Sequence, residues 1–133
     1  MNPGEWVMEQ LVRAAHAISD PTRVRVLNLL MQRECCVCEV MDVLRISQVN
    51  ASRYCNTLKD AGFLKMRKEG RWKHYSVDKD RCPASLRDML EAVRRSAEQD
   101  ADCLQDRRRL MSAQRRSEVG ESGLVASTAQ SPV

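Results

Sequence analysis

At 133 residues the chain is long enough for one domain and little more. Hydrophobic residues make up 43% of it but aromatics only 4%, so a core of Leu, Val, Met and Ala can form, of the small kind that often leans on a partner subunit. No apolar run approaches the ~20 residues of a membrane span, residues 1–9 lack the basic-then-apolar order of a secretory signal, and a cytoplasmic location is expected. In that reducing compartment the six cysteines are expected to bind metal or react, not to form structural disulfides.

Residues 6–18 place Val7, Leu11, Ala14 and Ile18 at helical spacing. Asp20 then reads as an N-cap and Pro21 as the first position of a second helix that runs to about Gln32. A third, short helix is expected over 36–44, with Val37, Val40, Met41 and Leu44 on one side. Arg45, Ile46 and Ser47 form a turn, and Ser47 caps a fourth helix that stops at Gly62. The period then changes to two. Residues 63–68 and 72–77 alternate around Glu69-Gly70, which predicts a β-hairpin. From Cys82-Pro83 a last helix is expected, with Leu86, Leu90, Val93, Ala97, Ala101 and Leu104 at heptad-like spacing. Ser, Gly, Ala, Gln and Arg dominate from 112, so the folded domain is expected over 1–111 and a disordered tail over 112–133.

The net charge of +4 is unevenly spread. Residues 45–75 carry eight Lys or Arg against Asp60 and Glu69, while 1–34 and 76–133 each balance to zero. All the positive surplus thus falls on the fourth helix and the hairpin, as on a phosphate-binding face. Two short helices joined by about three residues and followed by a basic hairpin make a helix-turn-helix with a wing. The second helix of such a motif presents its first turns to base edges in the major groove. Here it offers Ser47, Gln48, Asn50, Ser52, Arg53 and Asn56. Gln and Asn pair bidentately with adenine, and Arg with guanine. The wing offers Arg67, Lys68, Arg71 and Lys73, with Lys65 beside them, for phosphate contacts.

The run from Ser47 to Tyr54, then Leu58, Ala61-Gly62-Phe63-Leu64 and Arg67 to Tyr75, with Asp20-Pro21-Thr22-Arg23 before it, resembles the ArsR/SmtB family of metal-responsive repressors. The resemblance covers roughly residues 6–104. It implies a mainly α winged helix-turn-helix with a small β-hairpin, in the order four helices, two strands and a last helix. It also implies a homodimer built from the first and last helices, binding palindromic double-stranded operator DNA and releasing it on ligand binding. Tyr54 stands where the family usually has His, and Cys55 where it usually has Leu; the register of Cys55 with Ala51 and Leu58 marks it as a small core residue.

Cys35, Cys36 and Cys38 place three thiols within four residues. As thiolates they form a soft donor set suited to a three-coordinate ion, arsenite or antimonite, whereas zinc usually takes four ligands. The segment also resembles the Cys-Val-Cys box of arsenic-responsive family members. Their further cysteine, three residues on, is Met41 here, so Cys35 is expected as the third ligand. At a helix N-terminus the thiols are expected to ionise readily. On a regular helix Cys36 points away from Cys35 and Cys38, so a three-sulfur site is expected to unwind the first turn beneath the DNA-reading helix. No resident cofactor is expected, and As(III) or Sb(III) is expected as the inducer. A cadmium- or lead-responsive repressor, a thiol redox switch using the same cysteines, and a protein-interaction module stabilised by zinc remain alternatives.

Cys82 reads as a cap-region bystander and Cys103, beside Asp100 and Asp102, as a surface thiol. His74 reads as structural or phosphate-contacting. Residues 84–110 hold no His, so the family's zinc site on the last helix is not expected. Neither a phosphate loop nor paired catalytic carboxylates point to an enzyme.

Overall fold

A computed structural model describes residues 3–123, with side chains described for residues 4 and 6–113. The order is α1 (Pro3–Ala17), α2 (Pro21–Gln32), β1 (Cys35–Cys36), α3 (Val37–Leu44), α4 (Gln48–Asp60), β2 (Leu64–Glu69), β3 (Trp72–Val77), α5 (Ala84–Ala97) and α6 (Ala101–Gly123). Among the described residues no helix is long and apolar enough to cross a membrane.

The helix starts follow the capping chemistry legible in the sequence. Asp20 Oδ2 accepts from Arg23 N at 3.0 Å, with Pro21 opening α2, and Ser47 Oγ accepts from Asn50 N at 3.1 Å to open α4. Each satisfies a donor that the first helical turn leaves without an intrahelical partner. Between α3 and α4 the chain turns at Arg45, whose φ of 57° is left-handed. That conformation carries a steric cost for a residue with a Cβ, and it closes α3 so that α4 leaves at an angle. Gly62 follows the C-cap of α4 with φ +101°, an angle that favours glycine, and a Cβ there would also crowd Leu86 Cδ2 at 3.1 Å.

The hairpin pairs Leu64 with Val77 through Glu69 with Trp72. It is joined by a strand the sequence reading does not contain. β1 pairs antiparallel with β3, Cys35 opposite Tyr75 and Cys36 opposite His74, giving the sheet order β1-β3-β2. Val26, Leu27 and Leu29 of α2, Val40 and Val43 of α3, Leu58 of α4, Phe63, Tyr75 and Leu86 fill one core, which therefore joins the helix pair to the wing.

The last helix departs from expectation. It is two helices, broken between Ala97 and Ala101. Asp100 Oδ2 accepts from Cys103 N at 2.9 Å and so caps a new helix. α6 folds back onto α2 and α3. Asp106, with no exposed surface, takes both Nε (2.9 Å) and Nη2 (2.8 Å) of Arg25, and Arg109 Nη1 donates to the Val43 carbonyl at 3.3 Å. Ala101 and Leu104 thus belong to α6 instead of extending the α5 stripe. The tail expected over 112–133 is helical through Gly123, so the helix crosses the boundary expected at 111; residues 124–133 lie outside the described residues.

Candidate nucleic-acid interface and its cysteine segment

α4 buries Ala51, Cys55 and Leu58. The opposite face carries the side chains proposed for base contact. Arg53 and Asn56 are exposed, and Gln48, Asn50 and Ser52 half-buried, in the first turns after the Ser47 cap. Asn56 is engaged already, its Oδ1 accepting from the Tyr75 hydroxyl at 2.9 Å; it fixes the recognition helix to the sheet and is a weaker candidate for reading a base. Val49 was missed by the sequence reading. It is 65% exposed, on the same early turn, where an apolar side chain in a major groove meets a thymine methyl. Its signal was an apolar residue out of register with the buried positions 51, 55 and 58.

The wing presents Lys65, Lys68, Arg71 and Lys73, all exposed. Arg67 is placed differently. Its guanidinium closes on Glu34, with Nη2 at 2.7 Å from Oε1 and Nε at 3.1 and 3.0 Å from Oε1 and Oε2; Glu69 Oε2 lies 3.4 Å from Nη1. The same guanidinium holds the Glu34 carboxyl below its ordinary pKa, mainly by hydrogen bonding. Arg67 thus ties wing to cysteine segment in this structure and is not an unengaged phosphate contact. His74 is half-buried, its Nε2 without a hydrogen bond and 3.7 Å from Glu69 Oε1, which fits a structural residue.

The three candidate thiols are not brought to one point. Cys35 and Cys36 lie in the extended strand β1, and successive strand residues face opposite sides. Cys35 enters the core with no exposed surface, its Sγ 3.6 Å from the Arg33 carbonyl. Cys36 is the N-cap of α3. Its Sγ accepts from Glu39 N at 3.4 Å, while Glu39 Oε1 accepts from Cys36 N at 3.0 Å, a capping box built on sulfur. Glu39 Oε2 also takes Arg33 Nη2 at 2.7 Å. Cys38, half-buried on the first turn of α3, is disulfide-bonded to Cys36. The expectation that no disulfide forms is corrected at this pair, and so is the picture of three sulfurs on an intact helix. The chain is already extended at Cys35 and Cys36, so there is no helical turn there to unwind. Among the described residues no group of three His, Cys, Asp or Glu side chains is arranged to hold a metal ion.

Ionisation is also corrected. Burial pushes the Cys35 thiol up to about 12, with the Glu39 carboxylate adding to the rise, against the lowering expected from a helix N-terminus. Burial alone pushes Cys55 up to about 12, as suits the core role read for it. Cys82 is 1% exposed and packs in the core. Cys103 is buried at the start of α6 instead of lying on the surface, because α6 returns across α2.

Residues 20–65 match the family described as bacterial regulatory protein, arsR family. An HTH-type transcriptional regulator of Methanocaldococcus jannaschii, MJ1325, is 42% identical over 78 residues, 56% of this chain and 88% of that one. The arsenic resistance transcriptional regulator ArsR1 of Pseudomonas putida is 37% identical over 78 residues, 57% of this chain and 59% of its own length, so the match spans less than two thirds of that relative. Among solved structures, the homodimeric winged helix-turn-helix DNA-binding domain Mb0332 of Mycobacterium bovis, a possible ArsR-family regulator, has the same fold with a TM-score of 0.60, at 21% identity, over 76% of this chain and 90% of that one.

Proposed function

The chain belongs to the arsR family of bacterial regulatory proteins, a DNA-binding transcriptional regulator and not an enzyme, and on that premise we propose that it represses transcription as a homodimer on operator DNA and is released when As(III) or Sb(III) bonds to its cysteine segment. The observation that carries this reading is the position of Cys36 and Cys38. Their sulfurs meet at the N-cap of α3, the helix against which α4 packs. When reduced they are two soft donors at one point, a set that suits a thiophilic ion. A bond formed at Cys36 Sγ competes with the cap it gives Glu39 N. Cys35 joins as a third sulfur only by leaving the core, which separates β1 from β3 and so loosens the wing from the helix pair. A ligand that draws on Cys35 therefore acts on both halves of the DNA-binding surface. A differential of a few kcal/mol between the two states is enough to shift the equilibrium.

Dimerisation is supported by α1, where Trp6, Val7, Met8 and Val12 are all more than half exposed, an apolar face of the kind that marks a subunit contact. α5 lies against α1 within the chain, while Cys103, Asp106 and Leu110 of α6 are buried against the chain's own helices.

The test is fluorescence anisotropy of reduced protein on a duplex selected from a random pool. Binding should weaken steeply with salt, and added arsenite or antimonite should release the DNA. Release by cadmium or lead but by neither metalloid would assign the site to those ions instead.

The Cys36–Cys38 bond itself favours a second reading, a redox switch. Two thiols and one peroxide give the disulfide and two waters, so the pair can exchange states without any metal. DNA affinity that responds to peroxide and dithiothreitol but not to arsenite distinguishes it.

A further inference from the structure

A cavity of about 490 Å³ opens between α2, α5 and α6, within the size range of small-ligand sites. It exists because α6 folds back across α2. Its inner wall includes Leu90 and Leu104, together with Asn28 of α2. Asn28 is only 4% exposed. Its backbone carbonyl accepts from Gln32 Nε2, and its side-chain amide is a polar group on that wall.

The rim is cationic, and its cations come from three separate elements. Lys79 follows β3, Arg87 stands on α5 and Arg107 on α6. None of them is ion-paired with a described carboxylate. Arg87 gives one N–H to the Cys82 carbonyl, which leaves its charge uncompensated. Glu91 and Glu98 line the cavity as well, both held by Arg94 at 2.6 Å. An apolar interior carrying an amide, under a rim where four cations outnumber two carboxylates, complements an anion with an apolar body.

We propose that this cavity binds an apolar monocarboxylate, a medium-chain or aromatic acid. The carboxylate lies among Lys79, Arg87 and Arg107, the apolar part lies against Leu90 and Leu104, and the Asn28 amide takes a polar atom of the ligand. Such a ligand bridges α6 to α2 and α5, and so fastens the helix that also reaches α3 through Arg109.

Isothermal titration of the full-length reduced protein with decanoate and with 1-naphthoate tests this. At least one of the two should bind saturably, one per chain, and at least about tenfold more tightly than its uncharged amide. Arg107→Glu, a change at an exposed position, should weaken binding about tenfold or more, and Leu104→Trp should abolish it by filling the cavity. Asp60→Lys, exposed at the end of α4, should leave it unchanged. Saturable binding of neither acid would overturn the proposal, as would equal affinity for acid and amide or an unaltered Arg107→Glu titration. Loss of binding in Asp60→Lys would overturn it by placing the acid on α4. Circular dichroism checks that Leu104→Trp is folded; if it is not, Arg107→Glu and the amide comparison decide.

Discussion

Arg67 of the wing and Glu34, the residue before Cys35, are joined by three donor–acceptor contacts of 2.7 to 3.1 Å across a sequence separation of 33. Together with the pairing of Cys35 and Cys36 to Tyr75 and His74, this makes the cysteine segment part of the wing as well as the start of α3. A change at the cysteines therefore reaches both parts of the DNA-binding surface through direct bonds.

Glu34→Gln should release Arg67 toward solvent. The pair lies at the surface, Arg67 half exposed and Glu34 about a third, so stability should change by no more than about 1 kcal/mol. The freed cation becomes available to a phosphate, and the slope of log K against log salt should steepen by about one. Anisotropy at several salt concentrations measures both; an unchanged slope would mean that Arg67 stays off the DNA.

Arg53→Ala, at an exposed side chain, should cost about 1–3 kcal/mol of specific binding and relax base preference at one position of the selected duplex. Lys68→Ala and Lys73→Ala should instead weaken binding to all duplexes alike and reduce the salt slope by about one each. Asn56→Ala should lower thermal stability as well as DNA affinity, because it breaks the bond to Tyr75.

Asp106→Ala should be among the most destabilising single changes. It leaves Arg25 beside a buried void, and breaking a buried pair costs about 3–5 kcal/mol; because Arg25 is a quarter exposed, the lower end is expected. Urea unfolding measures the loss. Hydrogen exchange should rise first in α6, and an Arg25→Met/Asp106→Leu double change should recover much of the stability.

The buried thiols set a pH dependence. Cys35 and Cys55 titrate near 9 when unfolded and at about 12 when folded. Below pH 9 both states hold the proton and the thiols contribute no slope. Between 9 and 12 the unfolded chain ionises first, so stability falls as pH rises, by about 1 kcal/mol per unit for each thiol. Denaturation curves at pH 8, 9 and 10 should show the fall, and Cys55→Ala should flatten it. At pH 8 in reduced protein, iodoacetamide should modify Cys38 well before Cys35 or Cys55; equal rates would contradict the burial.

Much of the architecture was legible because it rests on local rules. The Asp20 and Ser47 caps, the turn at Arg45, the stop at Gly62 and the alternation on either side of Glu69-Gly70 each follow from a few neighbouring residues. The departures involve partners distant in sequence. A two-residue strand has no period to detect, so Cys36 reads as the start of the third helix, and the opposed directions of Cys35 and Cys36 are not visible. The break before α6 depends on the Asp100 cap and on Arg25, which lies 81 residues from Asp106; heptad spacing across Ala97, Ala101 and Leu104 therefore looked continuous. Cys103 appeared to be a surface thiol for the same reason. At the DNA-reading surface the residue types were legible, but the engagement of Arg67 and Asn56 elsewhere was not.

The central claim is that Cys36 and Cys38, at the N-cap of α3, control the hold on DNA. Serine is itself a good N-cap, so Cys36→Ser should keep the fold and remove only the sulfur. The most direct measurement is the arsenite concentration that releases half of the bound duplex, in protein kept reduced, for the wild type and for Cys36→Ser and Cys38→Ser. The account predicts a rise of at least about tenfold in each variant, with Cys55→Ser unchanged. Half-release at the wild-type concentration in both variants would contradict it.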